Sequence, residues 1–228
     1  MLPVLFPAIC TTIGLTLAAI ATAHEAGDFI VRSGYANVEP DDSSGALELN
    51  GDRAPLAGAE VGVKSDAQLG LTVAYMFTEH LGMELLASTP FEHEITAKGA
   101  GVDKVGTAKH LPPTLNLQYY PMSADSAFQP YVGIGVNYTV FFSEDVSNEF
   151  EAALGNSDMS LDDSFGLSLQ IGADYSFNDR WMVNAAVWRL DLATSADIDI
   201  DTANGPASLQ VDVDIDPWVY MLGVGYKF

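Results

Sequence analysis

The chain reads FGLSLQIGADYSF from Phe165 to Phe177. The odd-numbered positions of this stretch are apolar or aromatic, and the even-numbered positions are Gly, Ser, Gln or Asp. A period of two places alternate side chains on opposite faces of a β-strand. The small, polar face would contribute little to the apolar core of a soluble sandwich, whereas it suits a strand that lies between lipid and a partly polar lumen. The stretch therefore predicts one strand of a transmembrane barrel.

The same alternation recurs along the chain and predicts eight strands. They cover residues 28–37, 68–77, 81–90, 110–120, 130–142, 164–177, 181–192 and 209–228. Short connections at 78–80, 121–129 and 178–180 alternate with long ones near 38–67, 91–109, 143–163 and 193–208. Outer-membrane barrels place short turns in the periplasm and long loops outside. We therefore expect an all-β fold, an eight-stranded antiparallel transmembrane β-barrel over residues 24–228, with both termini periplasmic.

Residues 1–23 are predicted to be a signal peptide. They carry no charged side chain, and the apolar run Ile13–Ile20 leads to Ala21-Thr22-Ala23, the small-x-small pattern that precedes cleavage. The usual basic residues at the start are missing, and the alternative interpretation is a membrane anchor. Pro3, Pro7 and the Ala-Thr-Ala end favour cleavage, which would remove the one cysteine of the sequence, Cys10.

Composition excludes several classes of protein. The 228 residues carry a net charge of −22, which argues against nucleic-acid binding because phosphate contacts need clustered Lys and Arg. A single cysteine can form neither a disulfide framework nor a cysteine zinc site, and no cofactor motif is present. Of the 31 acidic residues, 24 lie in the four predicted outer regions with their strand extensions (38–67, 91–111, 143–163 and 191–216), against five Lys and Arg. The charge is thus expected outside the cell.

Aromatic residues mark the predicted edges of the lipid-facing band. Aspartates share their strand face with apolar residues until Asp216, after which Trp218 and Tyr220 continue that face. From Trp218 to Phe228 a tilted strand spans about 25 Å, the height of the apolar band. Trp218 and Tyr220 at one edge and Tyr226 and Phe228 at the other are therefore expected to form aromatic girdles.

The sequence resembles the outer membrane protein W (OmpW) family along essentially the whole mature chain. The resemblance rests on HEAG (24–27), QLGLT (68–72), GMELLASTPF (82–91), HLPPTL (110–115), FQPYVG (128–133), NYT (137–139) and DPWV (216–219). It implies an eight-stranded barrel with a narrow apolar lumen, associated with passage of small hydrophobic molecules and with envelope stress. The terminal Tyr226-Lys227-Phe228 is similar to the signal that the barrel assembly machinery reads. The acidic loops depart most from the family pattern.

The odd or even position of a residue along its strand, here called parity, also predicts which side chains face the lumen. A charged floor is expected in the periplasmic half, formed by Asp28, Arg32, Glu84, Asp174 and Lys227. An eight-stranded barrel is barely wide enough for side chains, so these charges should pair. A hydrophobic constriction is expected above the floor, formed by Leu86, Phe141, Trp188 and Leu190, with Ile198, Ile200, Val213 and Ile215 on strand extensions above it. The resemblance implies that Leu86 and Trp188 line this constriction. The alternative is that all of them only pack a closed structural barrel.

Three prolines suggest a lateral opening. Pro90 ends the third predicted strand, and Pro112 and Pro113 begin the fourth, opposite it if the hairpin is centred on residues 99–101. Proline removes donors from the strand ladder, so a gap near the outer edge of the membrane is expected. A simple end of strand pairing is an equally good interpretation.

The predicted function is a narrow channel or binding vestibule for small hydrophobic molecules, with possible lateral release into the membrane. The alternatives are a structural or stress-response barrel without transport, and an enzyme at the rim, for which His110 is the candidate residue. Neither a nucleophile motif nor metal-ligand spacing supports catalysis. The expected partners are outer-membrane lipid and lipopolysaccharide, the barrel assembly machinery and small hydrophobic solutes.

Overall fold

The computed structural model describes residues 24–45, 48–53, 60–98 and 103–228. The predicted signal peptide at residues 1–23 lies outside these described residues. The strands in chain order are β1 (Phe29–Glu39), β2 (Ser43–Ser44), β3 (Glu48–Leu49), β4 (Asp52–Arg53), β5 (Glu60–Val63), β6 (Asp66–Met76), β7 (Leu81–Ser88), β8 (Phe91–Lys98), β9 (Lys104–Leu111), β10 (Thr114–Tyr119), β11 (Phe128–Val146), β12 (Asn156–Leu161), β13 (Ser164–Ser176), β14 (Trp181–Leu190), β15 (Ala193–Thr202), β16 (Gly205–Asp214) and β17 (Trp218–Lys227). A helix, α1 (Asn148–Leu154), precedes β12. Within the described ranges no helix is long and apolar enough to cross a membrane.

Eight of these strands form a closed antiparallel barrel in the order β10-β7-β6-β1-β17-β14-β13-β11. The barrel closes because β10 pairs with β11 as well as with β7, with Thr114 opposite Asn137 on one side and Leu86 on the other. The predicted fold class is confirmed. The short connections are also found where they were expected, between β6 and β7, β10 and β11, and β13 and β14.

The lipid-facing surface is apolar and the lumen is polar, the reverse of a soluble protein. In β13 the buried positions include Ser168, Gln170 and Asp174, whereas Leu169 and Ile171 are exposed. Such burial is stable only if the exposed face meets lipid. Exposed aromatic side chains occupy both ends of this face: Phe29, Tyr75, Phe77, Tyr119, Tyr175, Phe177, Trp181 and Phe228 at the periplasmic end, and Tyr35, Tyr138, Phe165, Trp218 and Tyr220 at the outer end.

The last predicted strand, 209–228, is wrong as a single element. The structure divides it into β16 and β17, because Asp216 adopts a φ of 38° and turns the chain. Pro217, which follows, has no N–H group to continue the ladder. β16 leaves the barrel and pairs along its length with β15, from Ala193 opposite Asp214 to Thr202 opposite Gly205. The predicted loop 193–208 is therefore mostly strand.

The other long predicted loops also contain strands, which extend above the membrane part as two sheets. The first joins the outer end of β11 to β9, β8 and β5. The second has the order β12-β15-β16-β3-β4, with β2 also pairing with β16. Apolar residues pack between the two sheets: Ile95, Ala97, Val105, Ala108, Phe150, Met159, Ile198 and Ile200. Alternating apolar and acidic residues in β15 and β16 thus bury one face and hydrate the other.

Candidate functional site

Arg32 lies at the centre of the periplasmic half of the lumen and is fully buried. Its Nε donates to Asp174 Oδ1 at 2.9 Å and its Nη2 to Asp174 Oδ2 at 2.5 Å. Its Nη1 donates to Glu84 Oε2 at 2.9 Å, and Nη2 also reaches Tyr120 Oη at 3.1 Å. Both carboxylates are fully buried as well. The chain thus brings three residues of the predicted floor into one ion-paired cluster.

Polar side chains surround this cluster. They are His24, Gln118, Tyr120, Tyr131, Gln170 and Asn184. Gln170 Nε2 donates to Glu84 Oε1 at 2.8 Å, and Asn184 Nδ2 donates to Asp174 Oδ1 at 2.8 Å. His24 Nε2 lies 3.1 Å from Asp174 Oδ2. Each carboxylate is therefore compensated by further hydrogen bonds, which a buried charge requires.

The other two predicted floor residues, Asp28 and Lys227, form a separate pair. Lys227 Nζ lies 3.5 Å from Asp28 Oδ2. Both are nearer to solvent than Arg32, with side-chain exposures of 10% for Lys227 and 18% for Asp28. This pair lies where β1 is hydrogen-bonded to β17, with Ile30 opposite Lys227.

Above the floor large apolar side chains pack in the lumen beside buried polar ones, with Thr114 opposite Leu86 and Ser168 opposite Leu190. Leu86, Trp188 and Leu190 belong to one cluster and are at most 4% exposed. Phe91 belongs to the same cluster. The fourth predicted constriction residue, Phe141, lies higher, where its ring centroid is 5.7 Å from that of His110. The predicted constriction is thus a packed layer of three residues with Phe141 above it.

A cavity, here called the vestibule, lies between the two outer sheets above this layer. The space inside it that the centre of a water molecule can occupy is about 50 Å³. Twelve of its 15 lining residues are apolar, and the other three are His93, His110 and Thr194. Val213 and Ile215, predicted from parity to face inward, are in the lining. Ile198 and Ile200 were predicted to face inward as well, but they are not in this lining. They belong to the apolar cluster between the sheets that includes Phe150 and Met159.

A seam interrupts the ladder where the three prolines lie. The last β7–β10 pair is Leu86 opposite Thr114, and the next pair outward is Phe91 opposite His110, between β8 and β9. Residues 87–90 instead follow β6: Ala87 is opposite Leu71 and Ser88 opposite Gly70, and Thr89 N donates to Leu69 O. On the other side Leu111 is opposite Val140, and Pro113 O accepts from Tyr138 N. The edge formed by residues 87–89 is therefore paired with β6, and the edge formed by residues 111–113 is paired with β11.

His93 and His110 face each other in the vestibule wall, just above the seam. Their Nε2 atoms are 2.9 Å apart, and the rings stack with Phe91. Burial lowers the pKa of His93, and burial followed by the neighbouring charge of His93 lowers the pKa of His110 to about 3. Both imidazoles are therefore neutral near neutral pH. This pairing was not predicted, since it depends on the register of the β8–β9 hairpin.

His24 and Tyr131 are floor residues that the sequence reasoning missed. Parity on β11 could have found Tyr131, because it alternates with the lipid-facing Val132 and Ile134. His24 precedes β1, so no strand pattern indicates that it is fully buried. The acidic outer residues do not gather into a metal site: no group of three or more His, Cys, Asp or Glu in the described residues could hold a metal ion.

Known proteins share this architecture and sequence. The model of the OmpW family matches residues 25–228. Outer membrane protein W of Vibrio cholerae is 45% identical over 93% of this chain and 95% of its own length, and that of Escherichia coli is 43% identical over 93% of both. The crystal structure of the outer membrane protein OprG from Pseudomonas aeruginosa superposes with a TM-score of 0.86, at 50% identity over 91% of this chain and 99% of that one. The chain therefore belongs to the OmpW family of outer-membrane β-barrel proteins and resides in the outer membrane of a Gram-negative cell.

Proposed function

We propose that the barrel binds small hydrophobic molecules from outside in its vestibule and releases them sideways into the membrane. The observation that carries this proposal is the order of layers along the lumen. The apolar vestibule lies between the outer sheets, the packed layer of Leu86, Trp188 and Leu190 lies below it, and a buried ion-paired floor lies below that. An apolar solute gains by burial in the vestibule and has no comparable gain from crossing the floor.

The seam supplies the lateral route in this proposal. It lies at the height where the vestibule meets the packed layer, since His110 lines the vestibule and Leu86 belongs to the layer. Pro112 lacks the N–H group that would point from this strand to β7, whereas Pro113, whose carbonyl oxygen accepts from Tyr138 N, faces β11. Lateral exit therefore requires side chains to move but no ladder hydrogen bond between these two edges to break.

Uptake of a radiolabelled alkane, octane, into proteoliposomes tests this proposal. Trp188→Ala and Leu86→Asp change the packed layer, and we expect each to change the uptake rate by at least fivefold. Trp181→Ala is the matched control, because Trp181 faces lipid at the periplasmic end. Unchanged uptake in both layer variants would contradict the proposed route.

A cross-link across the seam separates lateral release from passage through the floor. The one cysteine of the sequence is Cys10, which lies in the predicted signal peptide. Cysteines at Ala87 and Pro113, which extend the Leu86–Thr114 register across the seam, can be joined by a short reducible bis-methanethiosulfonate reagent. Lateral release predicts that the cross-link stops octane uptake and that reduction restores it. Passage through the floor predicts no effect.

A structural barrel without transport is the second candidate. The tight burial of Leu86, Trp188 and Leu190 favours it, because the packed layer closes the lumen. Wild-type proteoliposomes that take up octane no faster than protein-free liposomes would support it. Catalysis at the rim has less support, since the hydrogen-bond partner of His110 in the described structure is another histidine. Loss of a lipid-modifying or proteolytic activity in His110→Ala would be needed to establish it.

Two partners are proposed with this function. The aromatic Tyr226 and Phe228 flank Lys227 at the end of β17, and the exposed Phe228 ring is accessible for recognition by the barrel assembly machinery. Lipopolysaccharide is the lipid expected around the outer girdle. Deletion of Phe228 should reduce assembly into the outer membrane without changing refolding in detergent.

A further inference from the structure

The histidine pair in the vestibule wall is polar in otherwise apolar surroundings. Each of its members is 5% exposed. Thr194, the third polar residue of the lining, donates its hydroxyl proton to Asp162 O at 2.7 Å. The two imidazoles are therefore the remaining polar groups of the lining: their Nε2 atoms bond to each other, and His110 Nδ1 is buried without a hydrogen-bond partner among the described residues.

The contacts of the pair fix which nitrogen carries each proton. His93 Nδ1 lies against the carbonyl oxygen of Lys64, which accepts only, so this nitrogen is protonated. In the neutral ring His93 Nε2 is then an acceptor. His110 Nε2, 2.9 Å away, must be the donor of the bond between the rings. A donor and an acceptor thus satisfy each other across the vestibule wall.

We propose that this pair binds the hydroxyl or protonated carboxyl head group of an otherwise aliphatic solute. The proposal rests on the proposed function, because it names the class of solute that the vestibule selects. A head group inserted between the rings accepts from His110 Nε2 and donates to His93 Nε2. The aliphatic tail then lies along the apolar lining, for which Phe141 and Leu192 supply side chains.

The chemistry of the pair discriminates between solutes of equal length. Separating the rings breaks one hydrogen bond and leaves a buried donor and a buried acceptor, which is costly unless both find partners. A hydroxyl or a protonated carboxyl satisfies both nitrogens. An ether oxygen satisfies only His110, and an alkane satisfies neither. An ether gains nothing by separating the rings and an alkane leaves the pair intact, so alcohols and acids should bind tighter than both.

Two further observations support a neutral head group. Burial keeps both imidazoles uncharged near neutral pH, so the pair offers no cation to a carboxylate. The negative charge of Asp66 acts on His93, and the Asp66 carboxylate already accepts from Gln68 Nε2 and Glu92 N. An anionic head group would thus lose its hydration in the buried pocket and be repelled by the carboxylate of Asp66.

The experiment compares octane, 1-methoxyoctane and 1-octanol in equilibrium dialysis against tag-free protein in lipid nanodiscs. Binding is expressed relative to the solute concentration in the lipid, which empty nanodiscs provide. For the wild type we expect 1-octanol to bind about tenfold tighter than octane on this scale, with the ether close to octane. The double variant His93→Phe/His110→Phe keeps two stacked rings and should bind the three solutes within twofold of one another. His80→Phe, in the periplasmic turn, is the control and should keep the wild-type order.

Protein labelled with ¹⁵N-histidine provides a second readout that needs no variant. Adding 1-octanol should shift the Nε2 resonances of both His93 and His110, and octane should not. If the variant fails to fold, as judged by heat-modified gel mobility, this wild-type measurement decides. Equal binding of octane and 1-octanol, or a solute order that survives in the double variant, would overturn the head-group site while hydrophobic binding stands. If no solute binds above the lipid background, the proposed function itself fails.

Discussion

Replacing Arg32 by methionine should destabilise the barrel more than any conservative change on its surface. Arg32 is fully buried and holds two fully buried carboxylates, Asp174 and Glu84. Methionine keeps most of the side-chain volume and removes the charge, so two anions remain in the lumen with polar neighbours but no cation between them. Breaking a buried ion pair in this way typically costs about 3–5 kcal/mol.

Urea unfolding in detergent measures this loss, with the heat-modified gel shift as the readout of the folded barrel. With a slope of about 2 kcal/mol per molar urea, the expected loss lowers the midpoint by roughly 2 M. Arg180→Met is the matched control, since Arg180 is exposed in a periplasmic turn and donates to Tyr226 Oη. The control should unfold within about 0.5 kcal/mol of the wild type.

The compensated variant Arg32→Met/Glu84→Gln/Asp174→Asn distinguishes charge from packing. Neutralising both carboxylates removes the uncompensated charge, so it should recover much of the stability that Arg32→Met alone loses. The reasoning is refuted if Arg32→Met unfolds at the wild-type midpoint. It is also refuted if the triple variant is less stable than the single one, because the cost would then come from lost contacts.

Three further predictions concern other parts of the molecule. Leu222→Arg places a charge on the lipid face, where Leu222 is 67% exposed, and should cost about 2–4 kcal/mol if it lies near the bilayer midplane, measured by the same unfolding assay. Gly34→Val should prevent correct folding, seen as loss of the heat-modified band, because a Cβ there would lie 2.2 Å from Leu222 O on the neighbouring strand. Because the folded-state pKa of His110 is about 3, below its ordinary 6.5, the unfolded chain binds more protons between these values, and stability should fall as pH decreases through that window. His110→Phe should flatten this pH dependence, and an imidazole that protonates near pH 6 in the folded protein, seen by ¹⁵N NMR, would contradict it.

The membrane part of the fold was predictable because every strand has one face toward lipid and the other toward the lumen. Lipid requires apolar side chains at alternate positions, and the lumen admits small or polar ones, so a period of two appears in the sequence wherever a strand crosses. In β13 this assigns Leu169 to lipid and Gln170 to the lumen, as found. The same parity placed Arg32, Glu84 and Asp174 in one half of the lumen, and the structure joins them.

The outer part was less predictable because the pairing and register of its strands are set by packing between sheets and not by lipid. The break at Asp216 depends on a left-handed backbone conformation that an Asp-Pro sequence permits but does not require. The contact of His93 with His110 depends on the register of β8 and β9, which shifts between Ile95 and Thr96. The sequence prediction placed Pro90 opposite about residue 112, whereas the pairing of Phe91 with His110 places it opposite residue 111. A shift of one residue exchanges the faces of a strand, so length alone does not find such a pair.

The position of a bound solute tests the account most directly. Crystals of the protein soaked with 8-bromo-1-octanol would locate the bromine by anomalous scattering and the chain by its density. We expect an alkyl chain in the vestibule beside Phe141 and Leu192, above the layer of Leu86 and Trp188, with the hydroxyl between His93 and His110. A solute found only on the lipid-facing surface, or below the packed layer beside Arg32, would contradict it.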